Sequence, residues 1–237
     1  MIKVFSFSFL ILFLLEGCFN CNFKRKTNSS GHQKVAKLNG QGYFEITYHD
    51  NDQFNTVESV ENDSLNGFSY SFYKNGNVYE KAEFQNGKRI GHSLIYNEDG
   101  MLSFYRCFVK PGRIAYRRAY INGKVAKEEG SFIVLEPQKI REVEGDSLLS
   151  ILITTIIPPD CYDVITDIKV VDENQNIVDS VKLNDQEEFV YDMRLNGADK
   201  TLVINCTLHE SFMDSVTVVE SISPKSSLIK MLKNKGN

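Results

Sequence analysis

The sequence has 237 residues, with 27 Lys and Arg against 31 Asp and Glu, and 42% of its residues are hydrophobic. That length suits one or two domains, and a net charge of −4 lacks the basic excess of a nucleic-acid binder. The composition is globular, and no apolar run beyond residue 17 reaches the roughly 20 residues that a spanning helix needs.

In chain order, residues 1–18 read MIKVFSFSFLILFLLEGC. Lys3 supplies a positive start, and residues 4–15 form an uncharged apolar core, suited to a signal peptide and short for a membrane span. The segment ends at Leu15-Glu16-Gly17-Cys18. This resembles the bacterial lipoprotein box, with an aliphatic residue three places before the cysteine and a small residue just before it. The resemblance implies a signal peptide over residues 1–17, lipidation of Cys18, and a place in the cell envelope. Glu16 stands where that family carries a small or hydroxyl residue. Without the resemblance, a secretory peptide cut near Gly17 leaves Cys18 as a plain thiol. Acylation by two or three chains exceeds the single chain that binds membranes only marginally.

Residues 18–37 are polar and basic, with Lys24-Arg25-Lys26, and read as a lipidated tether. Surface-exported lipoproteins of Bacteroidetes carry an acidic cluster after the lipidated cysteine. Its absence here implies, within that comparison, the outer membrane facing the periplasm. Beyond Cys18, four cysteines remain at 21, 107, 161 and 206, and an oxidising compartment permits bridges between them. Four cysteines allow three pairings. A Cys161–Cys206 disulfide is the favoured expectation, because both lie in the C-terminal region.

A repeat occupies residues 38–130. Gly67 aligns with Gly91, Ser69 with Ser93, Phe72 with Tyr96, Gly76 with Gly100 and Phe84 with Phe108, a period of 24 residues (91 − 67). Residues 42–48, GYFEITY, look like an earlier degraded copy, and residues 119–124 close the array. Within a unit, residues 68–73 alternate aromatic and small side chains, the period-2 signature of a half-buried strand. Asn75-Gly76 and Asn86-Gly87 then provide hairpin turns, with left-handed backbone expected at both residues of each pair. Phe72/Tyr73-Lys74-Asn75-Gly76 and Phe84-Gln85-Asn86-Gly87-Lys88-Arg89-Ile90-Gly91 resemble the MORN-type repeats of YwqK-like bacterial proteins. Tyr96-Asn97-Glu98-Asp99-Gly100 and Tyr120-Ile121-Asn122-Gly123-Lys124 extend that likeness. The resemblance implies a stack of hairpins that serves as a scaffold or binding surface. Members of that family are taken to be cytoplasmic antitoxins, a role at odds with an export signal.

Residues 131–222 change texture and carry about seven short apolar runs without helical periodicity. They predict an immunoglobulin-like β-sandwich, although the sequence contains no Trp for the usual hallmark. In residues 201–208, Leu202, Ile204, Cys206 and Leu208 share one face. Residues 223–237 form a Lys-rich tail. Charge separates the two regions. Residues 19–130 hold 16 basic against 12 acidic side chains, and residues 131–237 hold 10 against 18.

The four histidines, at 32, 49, 92 and 209, are too scattered for a metal centre. His49-Asp50-Asn51-Asp52 is oxygen-rich, yet lacks the glycine and distal glutamate of a calcium loop. Asp160, Asp163 and Asp167 are expected in an acidic loop beside Cys161. His209-Glu210-Ser211 has triad residue types, but strand neighbours point to opposite faces. The expectation is therefore an all-β, non-enzymatic envelope lipoprotein without cofactor, metal or nucleic-acid partner. It would dock an envelope protein and meet the membrane through its lipid; a carbohydrate- or peptide-binding module is the alternative.

Overall fold

The computed structural model describes residues 32–36, 42–184, 187–195, 200–210 and 216–222. The expected signal peptide, Cys18, Cys21 and the tail at 223–237 lie outside these. Every described element is a strand, so the chain is all-β there, as its alternating patterns imply. Nine strands follow one another in an antiparallel meander: β1 (His32–Ala36), β2 (Tyr43–Tyr48), β3 (Phe54–Glu61), β4 (Ser64–Phe72), β5 (Val78–Gln85), β6 (Lys88–Tyr96), β7 (Leu102–Lys110), β8 (Arg113–Ile121) and β9 (Lys124–Gly130). Two smaller sheets follow. One orders β10 (Ile133–Val143), β11 (Asp146–Thr155) and β14 (Glu188–Arg194) side by side. In the other, β13 (Ile177–Asn184) lies next to β12 (Cys161–Val171), then β15 (Thr201–Glu210) and β16 (Val216–Ile222).

The described residues divide into two compact units, one holding those up to 103 with 109–113, the other holding 104–108 and those from 114 onward. This departs from the expected boundary at 130/131 by assigning most of the last repeat hairpin to the second unit. A second departure concerns the tether. Strand β1 falls within residues 18–37, and its register sets Gln33 opposite Ile46 and Val35 opposite Phe44. Its sequence, HQKVA, has little apolar alternation, so the pairing comes from the neighbouring strand's free edge rather than from local pattern.

Hairpin turns in the first unit recur at the expected period. Residues 49–53, 73–77 and 97–101 each close with two backbone bonds, exemplified by Tyr73 N–H to the Asn77 carbonyl and Gly76 N–H to the Tyr73 carbonyl, 2.8 and 2.9 Å. The left-handed position of each turn is Asp52, Gly76 or Gly100, with φ of 62°, 87° and 85°. The oxygen-rich His49–Asp52 stretch is therefore the first copy of this turn. Asn75, by contrast, is not left-handed. Its side-chain oxygen accepts from Asn77 N–H at 2.9 Å, while its amide donates to the Glu98 carbonyl of the next turn at 3.0 Å. Asn51 does the same one repeat earlier, donating to the Lys74 carbonyl at 2.7 Å. His49 Nε2 meets the Phe72 carbonyl and Tyr73 O–H meets the Tyr96 carbonyl, both at 2.9 Å. Asp99 keeps only the first of these jobs, because a carboxylate has no N–H to donate. At the opposite ends of the strands, Asn86-Gly87 and Asn122-Gly123 do have positive φ at both residues, the two-residue hairpin turn expected of Asn-Gly.

Burial differs sharply between the units. Among the described residues, Ile46, Val60, Phe72 and Ala82 are the buried apolar side chains of the first. In the second, Leu149 and Ile151 of β11 and Leu202, Ile204, Cys206 and Leu208 of β15 are fully buried, matching the face predicted for residues 201–208. Tyr191 of β14 donates to Asp179 of β13, tying the two smaller sheets together.

Gly76→Val tests the repeat turn. A β-branched residue at φ 87° is strained, and its Cβ would also stand 3.3 Å from Gln53 Oε1. We expect a loss of about 1–3 kcal/mol in the first unit's stability, read by urea unfolding; an unchanged midpoint would contradict the turn assignment.

Candidate functional site

In the first unit, register distributes side chains onto two contrasting faces, since residues directly opposite in an antiparallel ladder share a side. One face carries the row Ile46, Val57, Tyr70, Lys81 and Leu94 across β2 to β6. The Lys81 ammonium lies 5.9 Å from the centre of the Tyr70 ring. Phe68, two positions from Tyr70 and on the same side, is 54% exposed. This face is thus apolar, aromatic and partly open to solvent.

The reverse face is polar. Its rows run Glu45, Glu58, Ser69, Ala82 and Thr47, Thr56, Ser71, Glu80, Ile95. Thr47 and Thr56 hydroxyls are 2.8 Å apart, and Glu80 accepts from Arg89 at 2.9 Å and from Ser93 at 3.0 Å. Glu45 and Glu58 oppose each other as like charges. Partial burial, and then the Glu45 charge, raise the Glu58 carboxyl above its ordinary value, against a lowering bond from Ser69. Near one end of the strands a shallow groove of about 370 Å³ is lined by Glu61, Asn66, Gly67, Glu83, Phe84, Gln85 and Ile90.

In the second unit, titratable groups converge on the inner face of β8. Tyr116, Arg118 and Tyr120 alternate along the strand and are all buried, Arg118 completely. Arg118 Nη1 donates to Asp160 Oδ2 at 2.8 Å, and its Nε donates to the Tyr116 hydroxyl at 2.6 Å. Tyr116 passes a 2.7 Å bond to Glu128, and Tyr120 donates to Asp160 Oδ1 at 2.7 Å. Arg118 Nη2 also lies 3.3 Å from Glu128. Phe132 closes over Tyr116 edge-on, with ring centres 5.9 Å apart. Burial is the largest cause holding the Tyr105, Tyr116 and Tyr120 phenols protonated far above their usual range. Chemically, this arrangement clamps the final hairpin to the Pro158–Asp160 turn. Its two carboxylates are engaged by Arg118 and by phenols that stay neutral.

The expected site residues fare differently. Cys161 and Cys206 are free thiols on neighbouring strands, and the favoured bridge is absent. Register pairs Cys206 with Thr166 and Cys161 with Glu210, which separates the two cysteines by roughly 13 Å along the ladder. A disulfide needs Cα atoms within about 7 Å. Cys206 instead accepts from Thr166 at 3.6 Å, and Cys161 lies 3.8 Å from Arg118 Nη1. Burial pushes the Cys107 thiol up to about 11 and raises that of Cys206. The acidic loop at 160–167 is not a loop. Asp163 and Asp167 lie on β12 and alternate with buried Val164, Thr166 and Ile168, so only Asp160 stays in a turn. His209 and Glu210 are consecutive residues of β15, Ser211 lies outside the described residues, and the His209 ring lies tilted to that of Tyr162 with centres 6.1 Å apart. Among the described residues no group of three His, Cys, Asp or Glu is placed to hold a metal ion.

Sequence reasoning missed Arg118. Its signal was the alternation Tyr116-x-Arg118-x-Tyr120, which puts a guanidinium on the same side as two aromatic rings. No protein-family model matches this chain, and no curated protein matches it either.

Two measurements follow from the cluster. Asp160→Ala leaves the Arg118 charge buried without that carboxylate and should destabilise the second unit by about 3–5 kcal/mol, whereas Asp160→Leu with Arg118→Met should cost much less. Denaturant unfolding of both variants checks the ordering. Separately, phenols raised above the usual value of about 10 contribute stability below that pH and lose it as pH rises toward their folded values. Ultraviolet titration should show Tyr105, Tyr116, Tyr120 and Tyr191 ionising only as the chain unfolds; a smooth non-cooperative titration of every tyrosine near pH 10 would contradict the burial.

Proposed function

We propose that this chain is a non-enzymatic binding module, held at the cell envelope by a lipid on Cys18 and docking a protein partner through its hairpin array. The single observation that carries the reading is the row Ile46, Val57, Tyr70, Lys81 and Leu94, continued by exposed Phe68, on one side of a sheet that buries few side chains of its own. Half-buried side chains in register over β3 to β6, flanked by buried Ile46 and open Phe68, suit a macromolecular surface better than a small molecule. The 24-residue period and its Asn-bearing turns support the likeness to MORN-type repeats. The second region has strands one, two and five in one sheet and four, three, six and seven in the other. That order supports an immunoglobulin-like sandwich whose fourth strand has joined the second sheet.

One observation favours a carbohydrate- or peptide-binding module instead. The groove beside Phe84 presents Glu61, Asn66, Glu83 and Gln85, polar groups beside an aromatic ring.

A photo-crosslinking residue in place of Phe68, compared with one at exposed Ile177, tests the docking face in intact envelopes. A discrete protein adduct specific to position 68 is expected, and labelling by glycan alone would transfer the reading to the groove. Cys18→Ala should abolish incorporation of radiolabelled fatty acid, and persistent labelling would remove the lipid anchor from the proposal.

A further inference from the structure

The last three strands of the long sheet differ in charge from what surrounds them. Residues 104–130 contain seven Lys and Arg (106, 110, 113, 117, 118, 124 and 127) against Glu128 and Glu129, a net of +5. Residues 42–103 hold four against ten, and residues 131–237 hold 10 against 18, so both flanks are acidic.

Register gathers part of this charge onto the outward face of β8 and β9. Arg117 lies opposite Glu129, Ala119 opposite Lys127, and Ile121 opposite Lys124. Lys124 and Lys127 are three residues apart and would ordinarily point to opposite sides. The register shift at Ala119/Tyr120 skips Ala126 and returns both to the outer face. Arg106, whose guanidinium sits 5.7 Å from the Phe104 ring, extends the patch to β7. Phe104, Arg117, Ala119, Lys127, Glu128 and Glu129 line a depression of about 160 Å³ there. Glu129 is the carboxylate of this face, shared between Arg117 and Lys127.

Among the described residues strand β9 is also the last of its sheet, and its residues are mostly exposed. A terminal strand offers backbone N–H and C=O groups to an incoming strand. Its lysines discourage pairing with another basic or apolar edge, but they favour a segment of opposite charge. On the reverse face the neighbours are Val125 and Glu128, which disfavour acid there.

We propose that β9 is a docking edge for an extended acidic peptide of a partner protein, added as a further antiparallel strand. Carboxylates would face Lys124 and Lys127, and small neutral residues would face Val125, Glu128 and Glu129. The edge ends at Gly130, where φ is +92° and any Cβ would lie 2.1 Å from the Ala115 carbonyl oxygen. This surface shares no residue with the Phe68 face, so its failure leaves the earlier proposal standing.

Binding of a fluorescent threonine-rich peptide with glutamates spaced to meet Lys124 and Lys127, measured by anisotropy on the full chain, tests the assignment. Expected are binding that weakens with added salt, a roughly tenfold or greater loss in Lys124→Glu/Lys127→Glu, and new amide-exchange protection within residues 124–130. If that variant does not fold by circular dichroism, Lys124→Gln/Lys127→Gln replaces it, with a smaller loss expected. No binding by the glutamate peptide, equal binding by its lysine counterpart, or binding without protection in β9 would each overturn the proposal.

Discussion

A β-hairpin in a single layer cannot bury its own apolar face, and that constraint organises the first unit. With four buried apolar side chains among its described residues, the unit has a far smaller core there than most sheets. Its cohesion therefore comes from each repeat's bonds to the next. Asn51 reaches the Lys74 carbonyl, Asn75 reaches the Glu98 carbonyl, and His49 and Tyr73 tie the same turns together. Such nearest-neighbour stabilisation is the energetic form of a repeat protein, in which each unit depends on having a neighbour. It also explains why the relay ends at Asp99, in the third turn, where the donor amide has become a carboxylate.

The second unit solves the problem of burial conventionally, with two sheets that each bury a face. Its unusual element is a charge cluster rather than a core. A fully buried guanidinium is costly to desolvate, and pairing it with a carboxylate seldom gains more than an apolar replacement would. What Arg118 does provide is direction. Nε and Nη1 of one planar group fix Tyr116 and Asp160 at once, and Tyr120 holds the second oxygen of Asp160. An apolar contact between β8 and the 158–160 turn would tolerate sliding; this geometry does not. The last hairpin of the repeat is consequently an integral part of the C-terminal unit, and this is why the compact boundary precedes residue 131.

Most of the architecture was legible because it rests on local periodicity. Alternating residues at 68–73, Asn-Gly turns, and the shared face of Leu202, Ile204, Cys206 and Leu208 are all local signals. What escaped depended on partners distant in sequence. Strand β1 exists through β2, not through its own residues. Residues 161–166 extend β12 because β15 pairs with them, although Asp160, Asp163 and Asp167 suggested a loop. The Cys161–Cys206 expectation used proximity in sequence region, whereas bridging depends on register, which a shift of a few residues decides. Asn75 was recognised as a turn residue for a conformational reason, yet its role is chemical, since it carries both an acceptor and a donor.

Charge placement links the two units to their proposed work. The apolar row of the first unit has Lys81 as its one cation and leaves Phe68 open, so that face can accept a partner with little electrostatic selection. Strand β9 has the opposite character, with little exposed apolar surface and a sequence dominated by Lys124, Lys127, Glu128 and Glu129. An unprotected edge at the end of a nine-strand meander would recruit other sheets indiscriminately. Two lysines on one face, brought together by a one-residue bulge, restrict that edge to segments carrying complementary charge. The bulge at Ala126 thus matters more than the lysines alone. Without it Lys124 and Lys127 would lie on opposite faces, and neither side of the edge would distinguish an acidic strand from a neutral one.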